Sequence, residues 1–336
     1  MTFGRGRFGT FLAVLACAVC APPLAVPKDL QAKGARQDGA SAAPNERDTA
    51  LQEAARRGIV IGQAFGPKEA LLQQKRMSAA LNRLQPQRKG VLDTYVLAIG
   101  LDSDAVFSRE ATQAGAVLSR RYGGEGRTLV LTTGTHPQAD AKSVTHPSAH
   151  PNHIAAALAQ MGALMDANED VLVLYITTHG HWLTGLSYRD QDRALGNIAP
   201  SRLAQLLDEA GIKNRLIILS ACYSGIFVPD LQNQYSVTMT AAAAGKPSFG
   251  CQADNDWTFF GDAFINHALR EPTPTLDAFA AARTRITQWE VALRLSPSNP
   301  QVDVGTHAQD WLTKLDTRIP KTATAPSGKP AFTPPP

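Results

Sequence analysis

Two residues whose types can break an amide bond follow two apolar runs. Val171–Thr177 (VLVLYIT) leads into Thr178-His179-Gly180-His181, and Leu216–Ser220 (LIILS) leads into Ala221-Cys222-Tyr223-Ser224-Gly225. The thiolate is the reactive form of cysteine, and a free thiol keeps its proton up to about pH 8.5. A neighbouring imidazole removes that proton or stabilises the thiolate. Amide cleavage also needs donors for the oxyanion. The backbone N–H groups of Gly180 and Cys222 are the candidates, because glycine lets a substrate carbonyl come close. Each residue also has a plainer reading. A cysteine ending a strand is commonly core, and a lone histidine there is satisfied by its surroundings. Their joint placement, each beside a glycine turn, favours the catalytic reading: His179 as base and Cys222 as nucleophile.

The elements that must position this pair are legible in the pattern. Short, nearly continuous apolar runs stand at Thr94–Gly100, Thr128–Thr132, Val171–Thr177, Leu216–Ser220 and Ser236–Ala241. Such runs predict strands buried on both faces. Helical stretches at Arg109–Arg121, Asn152–Ala167 and Pro200–Ala210 alternate with them. Phe259–Leu269 and Thr275–Leu293 are two more, and Gln301–Val304 is a short last strand. The alternation predicts βαβ units and a mostly parallel sheet. In open sheets of this kind, ligands bind beyond the carboxyl ends of the strands. One helix separates the His strand from the Cys strand. A right-handed crossover therefore makes them neighbours or near neighbours, with their ends on one crevice.

Composition narrows the classes. The chain has 336 residues, 33 Lys+Arg and 29 Asp+Glu, a formal charge of +4. That is too mild to argue for nucleic acid. Hydrophobic residues at 44% and charged residues at 18% exclude a wholly disordered chain. Four cysteines in this length exclude a disulfide scaffold. Arg5 and Arg7 followed by the apolar Phe8–Ala21 read as a signal peptide over residues 1–25, cleaved near Ala18 to Ala25. The protein is then exported, periplasmic or secreted; an uncleaved signal would leave an N-terminal membrane anchor. Lipid attachment at Cys17 is disfavoured by the poor match of Val14-Leu15-Ala16. No other segment is long and apolar enough to span a bilayer. With Cys17 and Cys20 removed, Cys222 and Cys251 remain, and export would ordinarily join them. A flexible linker over 26–48, a helical extension over 49–90 and a Pro-rich tail over 317–336, disordered or extended, flank a main domain over 91–316. The extension is either an autoinhibitory prosegment or a cap packed on the sheet.

YITTHG followed by LSACYSG resembles the His-Gly and Ala-Cys-x-Ser-Gly signatures of the legumain-type cysteine peptidases. These belong to the caspase-like clan, with the catalytic subunit of the GPI-anchor transamidase. The resemblance runs from about Tyr95 to Val304. It includes TAAAAGKPSFGCQADNDWTFFGDAFI and the Asn299-Pro300-Gln301 segment. It implies a caspase-like three-layer α/β/α sandwich with a mostly parallel sheet, preceded here by the helical N-terminal extension. It also implies a Cys222 thioester acyl-enzyme with His179 as general base, a peptide or protein substrate and no cofactor. Arg109, Ser248 and Asp256 stand where that family lines its primary specificity pocket. The plainer reading has Arg109 facing solvent and Asp256 capping a helix that starts near Trp257. The resemblance also argues against a Cys222–Cys251 bridge, since legumains carry a cysteine at a comparable place.

Two departures bear on specificity. The family's acidic residue after the nucleophile is Tyr223 here. Its Asn near the end of the first strand has no counterpart, Phe107-Ser108 standing there. Loss of a pocket carboxylate shifts discrimination by orders of magnitude, so the preferred side chain is left open. His136, His146, His150 and His153 match no common zinc spacing and read as a solvated loop. Tyr122-Gly123-Gly124-Glu125-Gly126 lacks the Lys-Ser/Thr of a phosphate loop and reads as a turn. Three functions stay in competition: hydrolysis by a cysteine endopeptidase, transfer to an amine by a transamidase or ligase, and a degenerate peptidase that only binds.

Overall fold

The computed structural model describes residues 46–58, 60–62, 65–134, 146–191 and 193–333. The expected signal peptide, almost all of the linker and His136 lie outside these. The strands and helices alternate in the order α1 (Glu46–Arg57), β1 (Val60–Gly62), α2 (Pro67–Leu81), β2 (Thr94–Gly100), α3 (Ala105–Tyr122) and β3 (Thr128–Thr132). Then come α4 (Pro151–Leu164), β4 (Val171–Thr177), β5 (Gly180–His181), β6 (Gly185–Asp190), β7 (Ala194–Ile198), α5 (Pro200–Glu209) and β8 (Asn214–Ser220). The chain closes with α6 (Val228–Leu231), β9 (Ser236–Thr240), α7 (Thr275–Ala292), β10 (Gln301–Val304) and α8 (Ala308–Asp316).

Six strands form the main sheet in the order β10-β9-β8-β4-β2-β3, parallel except for β10. Side chains alternate between two cores, as period-two geometry requires. On β4, Val171, Val173 and Tyr175 face a core with α3, α7 and α8, while Leu172, Leu174 and Ile176 face a core with α2, α4 and α5. Every residue of β2, β4 and β8 is buried. This is the three-layer α/β/α sandwich with a mostly parallel sheet that the sequence predicts. Proline at the first turn starts α2, α4 and α5, where its missing N–H costs nothing. Gly123, left-handed at φ 71°, ends α3.

Two regions go beyond the sequence reading. A second, antiparallel sheet of order β1-β7-β6-β5 grows from the end of β4. The helical extension supplies its edge strand β1 and sends Met77, Ala80 and Leu84 into the core. Of the two expectations for the tail, disordered or extended, the structure has the second: residues 321–333 form an extended strap on the domain. Its backbone N–H groups find side-chain acceptors: Ser327 on Asn266, Lys329 on Asp256 and Ala331 on Asp262. Phe332 packs on Trp289, with ring centroids 5.8 Å apart. Among the described residues no helix is long and apolar enough to cross a membrane.

Candidate active site

Three neighbouring strands end level. Gly100 of β2 pairs with Thr177 of β4, and Thr177 pairs with Ser220 of β8. The alignment continues past the strands, Leu101 donating to the Thr177 carbonyl and Thr178 to that of Ser220. His179 and Cys222 therefore each stand two residues beyond a paired position. Gly180 is pressed against Cys222: a Cβ there would lie 1.8 Å from the Cys222 carbonyl oxygen. Only glycine permits that approach. Gly225 is similarly confined by the 242–244 backbone. Tyr223 turns the chain after the thiol with a left-handed φ of 56°, its N–H donating to Lys246 O at 2.8 Å.

The imidazole and the thiol each have a partner other than one another. His179 Nε2 lies 3.0 Å from Asp104 Oδ2. An ionised carboxylate only accepts, so Nε2 carries the proton and Nδ1 is the basic nitrogen. The Phe107 ring meets the imidazole edge-on, at 4.9 Å between centroids. Asp104 is held in turn by Arg189 on β6, whose guanidinium reaches Asp104 at 2.6 Å and Asp102 at 2.8 Å. The hydrogen bond from His179, aided by the Arg189 charge, holds the Asp104 carboxyl below its ordinary value, against the opposing effect of burial. The Arg189 guanidinium is pushed further up, chiefly by its hydrogen bond to Asp102. Asp102, Asp104 and His179 bring potential metal-ligating atoms within 4.8 Å of one another, but the Arg189 cation already sits on both carboxylates.

Cys222 Sγ is bracketed by Ser248. The Ser248 N–H donates to the sulfur at 3.3 Å, and the thiol donates to the Ser248 carbonyl at 3.4 Å. Burial pushes this thiol above its ordinary value, which the Ser248 N–H partly offsets. Cys251 is also free, so no bridge joins it to Cys222. Burial first, and the nearby Cys222 second, push its thiol well up.

The expected pocket residues divide. Ser248 is at the nucleophile. Arg109 and Asp256 are paired with each other at 2.7 Å. Arg109 also donates to the carbonyls of Ala253 and Asn255, and the strap N–H of Lys329 donates to Asp256 at 2.6 Å. Asp256 does not cap the next helix; the buried Glu110 carboxylate accepts the Thr258 N–H instead, at 2.5 Å. His150 accepts from the Asn152 N–H at its own helix start, and the His153 ring meets the Ser148 carbonyl.

Asp104 was not singled out by the sequence. It occupies the position before α3 where a capping Asp is ordinary, yet its side chain caps nothing. A short Asp-Ser-Asp after the strand next to the histidine strand is the signal that could have found it.

Residues 151–309, which hold His179, Cys222, Ser248 and Asp256, match the model of the Peptidase C13 family, the legumain family. The resemblance read from the sequence is borne out over that stretch, and it supports a function of the cysteine peptidase type. Among solved structures the chain is similar to a crystal structure of caspase-1 from Spodoptera frugiperda. The identity is 14% and the TM-score 0.39, covering 66% of this chain and 92% of that one. No curated protein matches the chain.

Proposed function

We propose that the protein is a cysteine endopeptidase in which Cys222 is the nucleophile and His179 the general base. The observation that carries this reading is the level ending of β2, β4 and β8, with Gly180 against the Cys222 backbone. The raised thiol value means that the sulfur keeps its proton at rest. The base therefore takes the proton as attack begins, rather than holding a standing thiolate. Asp104 fixes the tautomer so that Nδ1 accepts it. A sulfur–carbon bond forms and the scissile C–N bond breaks. The imidazolium returns the proton to the leaving amine, and water then hydrolyses the thioester by the reverse proton path. The N–H groups of Gly180 and Cys222 are the proposed oxyanion donors.

The basic start and apolar run of Phe8–Ala21 support an exported protein acting outside the cytoplasm. The mutual pairing of Arg109 and Asp256 supports a pocket whose charge is largely balanced within itself. Cleavage of a peptide library by wild type and Cys222→Ser tests the assignment. Discrete cleavage sites in wild type, absent in the variant, are expected; equal background in both would overturn it. Repeating the reaction with an added amine separates hydrolysis from transfer.

A further inference from the structure

Far along α3 from Asp104, a cavity of about 150 Å³ lies between the helix end, the 268–271 turn and the strap. Among its lining residues are Arg120, Arg121, Arg270, Glu271, Gln113 and Thr324. Three arginines line it, and none of them forms an ion pair among the described residues. Arg121 is 2% exposed. It donates to the carbonyls of Leu269, Glu271 and Thr273, which are dipoles and not counter-charges. The Nε atoms of Arg121 and Arg270 are buried with no hydrogen-bond partner among the described residues. Arg270 reaches the strap through Ser327 Oγ at 2.9 Å, and Arg120 reaches it through the Thr322 carbonyl at 3.4 Å.

A buried charge without a counter-ion is costly. Burial first, and the Arg120 charge second, already press the Arg270 guanidinium below its ordinary value. Glu271 is the sole carboxylate in the lining and is exposed, so the cavity carries an excess of two positive charges. Guanidinium forks match oxyanions in shape as well as charge. The volume falls below the roughly 300 Å³ at which sites for drug-sized ligands begin. We infer that this cavity binds a compact tetrahedral oxyanion, phosphate or sulfate, which fastens the strap to the body of the domain. This inference does not depend on the peptidase reading.

The test titrates the full chain with sodium phosphate, sodium sulfate and sodium chloride at matched ionic strength, following the unfolding temperature and the heat of binding. Phosphate or sulfate gives a saturable rise that chloride does not. Arg120→Gln, at an exposed position, and Arg270→Gln each weaken binding by about tenfold. Glu271→Gln tightens it several-fold. An equal response to all three salts overturns the proposal. So does unchanged affinity in Arg120→Gln, which keeps the test decisive if Arg270→Gln does not fold, or unchanged affinity in Glu271→Gln.

Discussion

Asp104 Oδ2 and His179 Nε2 are 3.0 Å apart, and this contact decides which nitrogen of the imidazole is basic. Replacing Asp104 by Ala leaves the tautomer and the ring orientation unfixed. A fall in kcat of about 10²-fold is expected, with KM little changed. Asp104→Asn keeps an acceptor for the Nε2 proton and recovers much of that loss. Steady-state kinetics on a fluorogenic peptide check it; equal losses in Ala and Asn would remove the positioning role.

The same contact has an acid limit. The folded-state value of Asp104 is depressed, so its stabilising contribution is present above the ordinary carboxylate range. It disappears as pH falls from the ordinary carboxylate range, about pH 4, through the depressed value. Urea unfolding across that range should fall less steeply in Asp104→Asn than in wild type. Identical pH profiles would contradict the linkage.

Gly180 is fixed by space. A methyl group there meets the Cys222 carbonyl oxygen at 1.8 Å, whereas one at Gly245 meets nothing within 4 Å. Gly180→Ala should lower kcat/KM by at least about 10²-fold, since displacements near 1 Å cost that much. Gly245→Ala should match wild type. Wild-type turnover in Gly180→Ala would show that the two strand ends are not tightly packed.

Burial raises the Cys222 thiol, so alkylation should be slow at neutral pH and accelerate only above the ordinary thiol range, near pH 8.5 and beyond. Mass spectrometry after timed iodoacetamide exposure at several pH values measures this on the Cys222 peptide itself. Rapid alkylation at pH 6 would mean that the resting sulfur is already a thiolate.

The strap is part of the fold. Truncation after Pro320 strips the packing of Phe332 on Trp289 and leaves Asn266, Asp256 and Asp262 without their backbone donors. The expected loss is about 2–4 kcal/mol of unfolding free energy. Denaturant titration reads it directly, and an unchanged midpoint would return the segment to the status of a loose tail.

What the sequence disclosed follows from which signals are local. The runs at 94–100 and 171–177 coincide with β2 and β4 because strands buried on both faces are continuous apolar text; the run at 128–132 is the edge strand β3, buried on one face and half-buried on the other. The hairpin of β6 and β7 was missed because GLSYRD and ALGNI mix charge, glycine and single apolar residues. With it went Arg189, which matters only through the loop it folds against. Asp104 was hidden by looking like a helix cap. The strap reads as disorder in composition, since proline and glycine deny it a periodic pattern; its order comes from carboxylates and an amide far away in sequence. Helix α8, with Trp311, Leu312 and Leu315 buried, lies inside the expected main domain, but at nine residues it is too short for its apolar spacing to stand out.

The most direct measurement of the central claim is covalent capture of the nucleophile. A peptidyl acyloxymethyl ketone, which a cysteine attacks only when a neighbouring base assists, is incubated with wild type, Cys222→Ala, His179→Ala and Cys251→Ala. The adduct is then mapped by peptide mass spectrometry. The account predicts one adduct on Cys222, lost in Cys222→Ala, greatly slowed in His179→Ala and retained in Cys251→Ala. An adduct on Cys251, or labelling and turnover that survive in Cys222→Ala, would contradict it.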